Sequence, residues 1–274
     1  MAIEAEAGAE AETQLRSEFL TVAVEAAREA GAFLRERFGT IERYDLKTSH
    51  HDLVTEADRT AERLILERIG KAYPEHGVLS EESPPRRTDA PYRWVIDPLD
   101  GTTNYAHGIP FFGVSLALEE RGEVVVGVIY DPLREELYTA IRGEGARRDG
   151  QPLSVSRIDD LKKSLLATGF PLRSRLKERN LKILRAFLPK AQSVRRFGSA
   201  ALCLAYVACG KLEAYWDLSL HRWDMAAGYL LVREAGGVCT DLRGGEVGPE
   251  GRELLASNGR VHGQLLDVMR GIPE

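Results

Sequence analysis

The stretch that most constrains the fold is Trp94-Val95-Ile96-Asp97-Pro98-Leu99-Asp100-Gly101-Thr102-Thr103-Asn104. An apolar run breaks off at Asp-Pro and passes into Asp-Gly-Thr. This predicts a buried strand running out into a tight turn, because Pro98 cannot donate to a ladder and Gly101 accepts positive φ. Asp97 and Asp100 then leave one strand end together. With the Leu99 carbonyl between them they can converge on one point, an all-oxygen arrangement suited to a hard cation such as Mg²⁺. The hydroxyls of Thr102 and Thr103 follow at once. Taken alone the motif has a plain alternative, since Asp-Gly is a common turn pair and an isolated Asp-x-x-Asp is ordinarily a solvated loop.

The rest of the chain narrows the setting. Its 274 residues allow one large α/β domain or two smaller ones. A net charge of −5 supplies no basic footprint, which argues against nucleic acid as the main ligand and leaves any attraction for an anion local. Cys203, Cys209 and Cys239 lie in apolar stretches without Cys-x-x-Cys spacing and read as buried free thiols in a reducing compartment. The acidic opening, residues 1–14, lacks the basic start and apolar core of a signal peptide and reads as a disordered tail. The longest uncharged apolar stretch, Ala200 to Cys209, is about half of the roughly 20 residues that a membrane span needs. A soluble cytoplasmic protein without a membrane partner is therefore expected.

Apolar periodicity predicts a helix from Leu15 to Phe38, stopped by Gly39. Thr40 to His51 has no period and reads as an exposed loop; its pair His50-His51 reads as solvated, with no third ligand at zinc spacing. Thr55 and Asp58 fit the start of a second helix, with acids where the dipole favours them. Gly77 to Ser80 is a short strand leading into Glu81-Glu82, paired acids that need a compensating cation. Phe111–Glu119, Glu123–Tyr130 and Glu136–Ile141 read as a meander, with Gly143 to Ala146 as turn material. Beyond residue 158 strands at 165–171, 194–197 and 212–216 alternate with helices at 178–188, 199–209 and 224–234. One domain over 15–274 is expected, in halves of about 15–155 and 156–274.

Trp94 to Asn104 resembles the first signature of the inositol monophosphatase family, and Trp223-Asp224-Met225-Ala226-Ala227-Gly228 resembles the second. With Asp58 and Glu81-Glu82 in similar contexts upstream, the resemblance runs from about residue 17 to about 268. It implies an α/β fold, the layered αβαβα sandwich that this family shares with fructose-1,6-bisphosphatase. It also implies two or three Mg²⁺ ions, replaceable by Mn²⁺. Glu81, Asp97 and the Leu99 carbonyl would hold the first, and Asp97, Asp100 and Asp224 the second. Such all-oxygen ligands favour Mg²⁺ or Mn²⁺ over Zn²⁺. Asp224 has a simpler reading as a helix cap.

The same resemblance assigns the attacking water to Thr102 with Asp58 behind it, and phosphate oxygens to the Gly101 and Thr102 amides. It matches Asp217, one methylene shorter than Glu, to a polyol-binding acid. Gly198-Ser199-Ala200 matches a backbone contact to substrate, and Lys47 a loop lysine. His221 and Arg222 are candidates for the pocket rim or for plain solvation. The implied activity is hydrolysis of inositol 1-phosphate or similar polyol phosphates by a homodimer. Fructose 1,6-bisphosphate, nucleotide 3′-phosphate and histidinol phosphate are alternative substrates, and a non-catalytic regulatory partner is an alternative role. The Asp-x-Asp-Gly-Thr of aspartyl-phosphate enzymes is one residue shorter than the stretch here, and nucleotide 3′-phosphatases of the superfamily tend to carry Thr-Lys where this chain has Thr102-Thr103.

Overall fold

In the computed structural model the chain opens with α1 (Ala2–Arg37), whose buried residues Phe19, Ala23, Ala26, Ala27, Ala30 and Leu34 form one helical stripe. The described residues are 2–40, 45–46, 53–54, 56–171, 174–248 and 252–272; Lys47, His50, His51 and Thr55, singled out above, lie outside them. The helix begins at Ala2, not at Leu15. Periodicity registers only the stripe that packs, which starts at Phe19, whereas Ala and Glu favour helix wherever they occur. The stretch expected to be loop, Thr40 to His51, contains β1 (Asp45–Leu46), which pairs antiparallel with β2 (Leu53–Val54) just beyond it. Next comes α2 (Glu56–Ala72), with Glu56 and Asp58 in its first turn.

A seven-stranded sheet follows. It consists of β3 (Gly77–Ser80), β4 (Tyr92–Asp100), then after the short α3 (Thr102–Ala106), β5 (Gly113–Glu120), β6 (Glu123–Asp131), β7 (Glu136–Ile141), β8 (Gly145–Arg148) and β9 (Gln151–Pro152). Its strands stand in chain order, with β3 parallel to β4 and the others antiparallel. The expected turn at Gly143–Ala146 is half strand, because Ala146 pairs with Ala140 and is buried. One small buried residue between a glycine and an arginine leaves no compositional trace.

The second sheet holds β10 (Leu165–Thr168), β11 (Ser193–Arg195), β12 (Ala214–Leu220), β13 (Val238–Thr240) and β14 (Arg252–Ser257), in the order β11-β10-β12-β14-β13. Its helices are α4 (Ser174–Phe187), α5 (Ala200–Ala208), α6 (Arg222–Glu234) and α7 (His262–Arg270). β10 is parallel to β11 and β12, whereas β14 runs antiparallel to β12 and β13. The last two strands and α7 were not anticipated; β13 has only three residues and carries no periodic signal.

Side-chain alternation makes these elements five layers. On β4, Trp94 and Ile96 join the core formed with α1 and α2, while Val95 joins the core around α5 and α6. On β12, Tyr215 faces that same central core, and Trp216 and Leu218 face the outer core with Ile183, Phe187 and Leu265. The order is therefore helices, sheet, helices, sheet, helices. Two of the cysteines are buried, Cys209 is half-buried, and all three are free thiols. Among the described residues no helix is long and apolar enough to cross a membrane.

Gly228 lets the central helices touch: a Cβ there would lie 2.5 Å from Leu204 Cβ and Cδ1. Gly70, in α2, has nothing within 4 Å of that position. Overpacking costs about 1–3 kcal/mol against a helix-propensity gain near 1 for Gly→Ala. Gly228→Ala should therefore lower the urea midpoint, and Gly70→Ala should raise it, in the same equilibrium unfolding experiment.

Candidate active site

The first signature is built as a strand with one extra residue. β4 does not stop at Pro98; it continues to Asp100, and its register slips on the way. Asp97 stands opposite Ser115 and Asp100 opposite Gly113, so three steps on β4 match two on β5. The proline sits in that bulge, where no ladder hydrogen bond is asked of it. Gly101, at φ 102°, then turns the chain into α3. The Asp97 side chain is 2% exposed, and its Oδ1 accepts a hydrogen bond from the Leu99 amide at 3.0 Å.

Three other carboxylates come from different elements. Glu81 follows β3, and its amide bonds to the Ile96 carbonyl at 3.2 Å, tying it to the strand just before Asp97. Asp100 is held by α5: the Ser199 hydroxyl and the Ala201 amide, the latter at 2.7 Å, both donate to its Oδ2. Asp224 lies in the first turn of α6, where its Oδ2 accepts from the His221 amide at 2.6 Å. The N-cap of α6 is His221, and Asp224, three residues on, bonds back to it as the acid of a capping box.

These charges act on one another. The Asp97 carboxyl is driven far above the usual carboxylate range, first by burial and then by Glu81, Asp100 and Asp224. Burial pushes Asp100 up to about 7, with Asp224 adding to the rise and the Ser199 hydroxyl opposing it. Among the described residues no three His, Cys, Asp or Glu side chains stand together at metal-ligand spacing. The donor chemistry nonetheless fits a hard divalent cation, because oxygen-only carboxylates that raise each other's pKa are what such a charge relieves.

Beside them lies the pair expected to handle water. Asp58 is fully buried in the first turn of α2. Thr102 Oγ1 lies 3.0 Å from Asp58 Oδ1 and 3.1 Å from the Leu99 carbonyl oxygen, so its single proton is shared between these two acceptors.

A cavity of about 190 Å³ opens next to Asp100 and Asp224, walled by Gly198, Ser199, Ala200 and Asp217. Of the candidates read from sequence, these six are gathered in one place. Asp217 is 6% exposed, and its carboxylate already serves its own chain. Oδ1 accepts from the Leu218 and Ser219 amides at 2.6 and 3.0 Å, and Oδ2 from Tyr215 Oη at 2.9 Å. Burial pushes its pKa up. Ser199 caps α5 and braces Asp100, a side-chain duty beyond the backbone contact that was expected of it. Arg222 does not stand free at the rim; it turns to Glu119 at 2.6 Å. His221 stacks on Trp223.

Thr168, Phe170, Arg196 and Tyr215 also line the cavity and were not picked out beforehand. Tyr215 was within reach of sequence reasoning, since it precedes Asp217 by two positions and shares its strand face. Arg196, resting over the Phe170 ring at 5.8 Å, left no such signal.

The inositol monophosphatase family matches residues 15–274. The chain is similar to the inositol-1-monophosphatase of Mesorhizobium japonicum, with 42% identity over 258 residues, covering 93% of this chain and 97% of that protein. It is also similar to Nus factor SuhB of Salmonella typhimurium, 42% identical over 254 residues, covering 92% and 95%. Among solved structures, the extragenic suppressor protein suhB of Bartonella henselae superposes with a TM-score of 0.89 at 42% identity, covering 93% of this chain and 99% of that one. Fold, signatures and relatives agree that the chain belongs to the inositol monophosphatase family, within the Mg²⁺-dependent phosphatase superfamily.

Proposed function

We propose that the protein is a Mg²⁺-dependent phosphomonoesterase of polyol phosphates, with inositol 1-phosphate the best substrate, acting as a cytoplasmic homodimer through one catalytic domain over 15–274. The observation that carries this reading is the mutual repulsion of Asp97, Asp100, Asp224 and Glu81 beside a cavity that also holds Asp217. Glu81, Asp97 and the Leu99 carbonyl would hold one cation, and Asp97, Asp100 and Asp224 another. Bound there, Mg²⁺ supplies Lewis-acid stabilisation of the phosphoryl and leaving oxygens and lowers the pKa of a water.

The chain's own groups do the rest. Thr102 Oγ1 donates to Asp58 and keeps lone pairs to orient a water; as the water gives its proton to Oγ1, the hydroxyl proton passes to Asp58 Oδ1. The amides of Gly101 and Thr102, at the turn after β4, would bind phosphate oxygens, and Gly198 to Ala200 line the cavity the substrate would enter. A carboxylate has about four lone-pair sites, and Asp217 uses three, so one acceptor remains for a substrate hydroxyl. Lys47 would meet the phosphate.

A second reading, a regulatory partner without turnover, draws on the name Nus factor SuhB carried by the Salmonella relative. A substrate panel separates the two. Under Mg²⁺, phosphate release should be fastest from inositol 1-phosphate, slower from fructose 1,6-bisphosphate and slowest from an alkyl phosphate. Asp97→Asn should abolish nearly all of it while circular dichroism stays unchanged. Release no faster from the wild type than from Asp97→Asn would favour the regulatory reading.

Thr102→Ala should reduce kcat by roughly 10²-fold, the scale of a lost acid–base contact, with the Mg²⁺ requirement unchanged. A rise in that requirement at constant kcat would move Thr102 to the cation sites.

The carboxylates also set a pH dependence. Asp100 ionises at about 7 in the folded chain and at roughly 3.9 when unfolded. Its raised folded pKa favours folding below the unfolded value, and that advantage is lost as pH rises through the folded one. In metal-free protein the Tm of Asp100→Asn should therefore climb relative to wild type between about pH 4 and pH 7, and saturating Mg²⁺ should close the gap by stabilising the wild type. Parallel melting curves across that range would contradict the assignment.

A further inference from the structure

Glu119 is a deeply buried acid of the large sheet outside the candidate site, with its side chain only 1% exposed, and it holds two arginines. Arg93, opposite it on β4, donates through Nε at 2.9 Å and Nη2 at 2.6 Å to Oε2. Arg222 donates through Nε at 2.6 Å to Oε1 and is itself largely buried, at 13% side-chain exposure.

One cation would be enough for Glu119. A buried carboxylate needs a charged partner, and Arg93 already supplies two charge-assisted hydrogen bonds from the neighbouring strand. Arg222 comes from another layer and must give up its own hydration to reach the same acid. It is also the first residue of α6, where the helix dipole disfavours a cation. Two costs are thus accepted for a bond that charge neutralisation does not require. What the bond adds is a fixed spacing. Arg93 and Asp97 lie four positions apart on β4, hence on one face, and that face meets α6: Val95 between them belongs to the central core. Opposite Asp97 is Ser115, whose Oγ makes a long contact of 3.4 Å with the Trp223 carbonyl. Asp224 follows Arg222 by two residues in the same helical turn.

We propose that Arg222 is a positioning residue that, through Glu119 and Arg93, pins the first turn of α6 to the strand pair carrying Asp97 and so fixes Asp224 against Asp97. The inference rests on the reading that these two carboxylates share a cation. Arg222 touches neither substrate nor cation; it sets where one ligand stands.

The test is calorimetric titration of Mg²⁺ into the metal-free full-length protein, with activity against Mg²⁺ concentration alongside. Arg222→Met leaves the Glu119–Arg93 pair intact, so no buried charge is stranded. It should weaken Mg²⁺ binding by about 10- to 100-fold, the usual scale for a group that orients a ligand. The Mg²⁺ concentration for half-maximal activity should rise by the same factor, with kcat at saturation close to wild type. Arg222→Lys, which keeps the charge but not the fork, should recover part of the loss. Combining Arg222→Met with Glu119→Gln should weaken binding no further than the stronger single change.

Arg134→Met serves as the control, because Arg134 pairs at 2.8 Å with another buried acid of the same sheet, Asp131. It should lower Tm without altering Mg²⁺ affinity. Wild-type Mg²⁺ affinity in Arg222→Met, or losses that simply add in the double variant, would overturn the proposal. Asp224→Asn that still binds as many Mg²⁺ ions as the wild type, and as tightly, would instead remove the shared-cation reading beneath it.

Discussion

Negative charge brought together out of water is the constraint around which the rest of this structure is arranged. Asp97, Asp100 and Asp224, with Glu81, arrive from a strand, a strand end, a helix start and a loop, and Asp97 is left with its pKa far above normal. A fold that holds such a set without collapse has to spend donors on it. The Leu99, Ala201 and His221 amides each bond one of the aspartates. Two of those amides lie at the N-termini of α5 and α6, so the positive ends of both central helices meet the carboxylates. The middle layer therefore joins the two sheets and partly offsets the charge at their seam.

Close packing and electrostatics are linked there. The contact of Gly228 with Leu204 sets α5 and α6 side by side, and that closeness brings the Ser199 cap to Asp100 in the same region as Asp224. A larger residue at 228 would act on the core first and on the carboxylates by displacement. Small residues in the second signature thus have a geometric reason that is separate from any chemistry.

Much of this was legible in the residues themselves, and the limits have physical causes. The strand before Asp97 and the acid Asp58 at the start of α2 could be read because each is a local pattern that the chain obeys. The bulge at Pro98 could not, because it depends on how many residues β5 spends over the same length. Periodicity found the buried stripe of α1 but not its first residue, since Ala and Glu favour helix without any apolar period to mark it. The Asp58–Thr102 bond joins residues 44 positions apart; family resemblance suggested the pair, and no spacing rule would have. Asp217 was picked as an acceptor for substrate, yet only the folded chain reveals that three donors of its own strand and turn reach it first.

That last fact bears on where selectivity can arise. In the proposed reaction the carboxylates and the Asp58–Thr102 pair concern the phosphate and the water, and both parts are borne by the first sheet and by helix starts. The far wall of the cavity belongs to the second sheet: Asp217 and Tyr215 on β12, and Thr168 ending β10. An acid already holding three donors is rigid but has little acceptor capacity left, so it can register one hydroxyl in a fixed position and not a range of them. Arg196 over Phe170 stands on the same wall with a chemistry opposite to that of Asp217. Discrimination among alcohols would then depend on how a substrate divides its groups between one nearly saturated carboxylate and one exposed guanidinium. Substitutions on β12 could change it while leaving the carboxylate seam as it is.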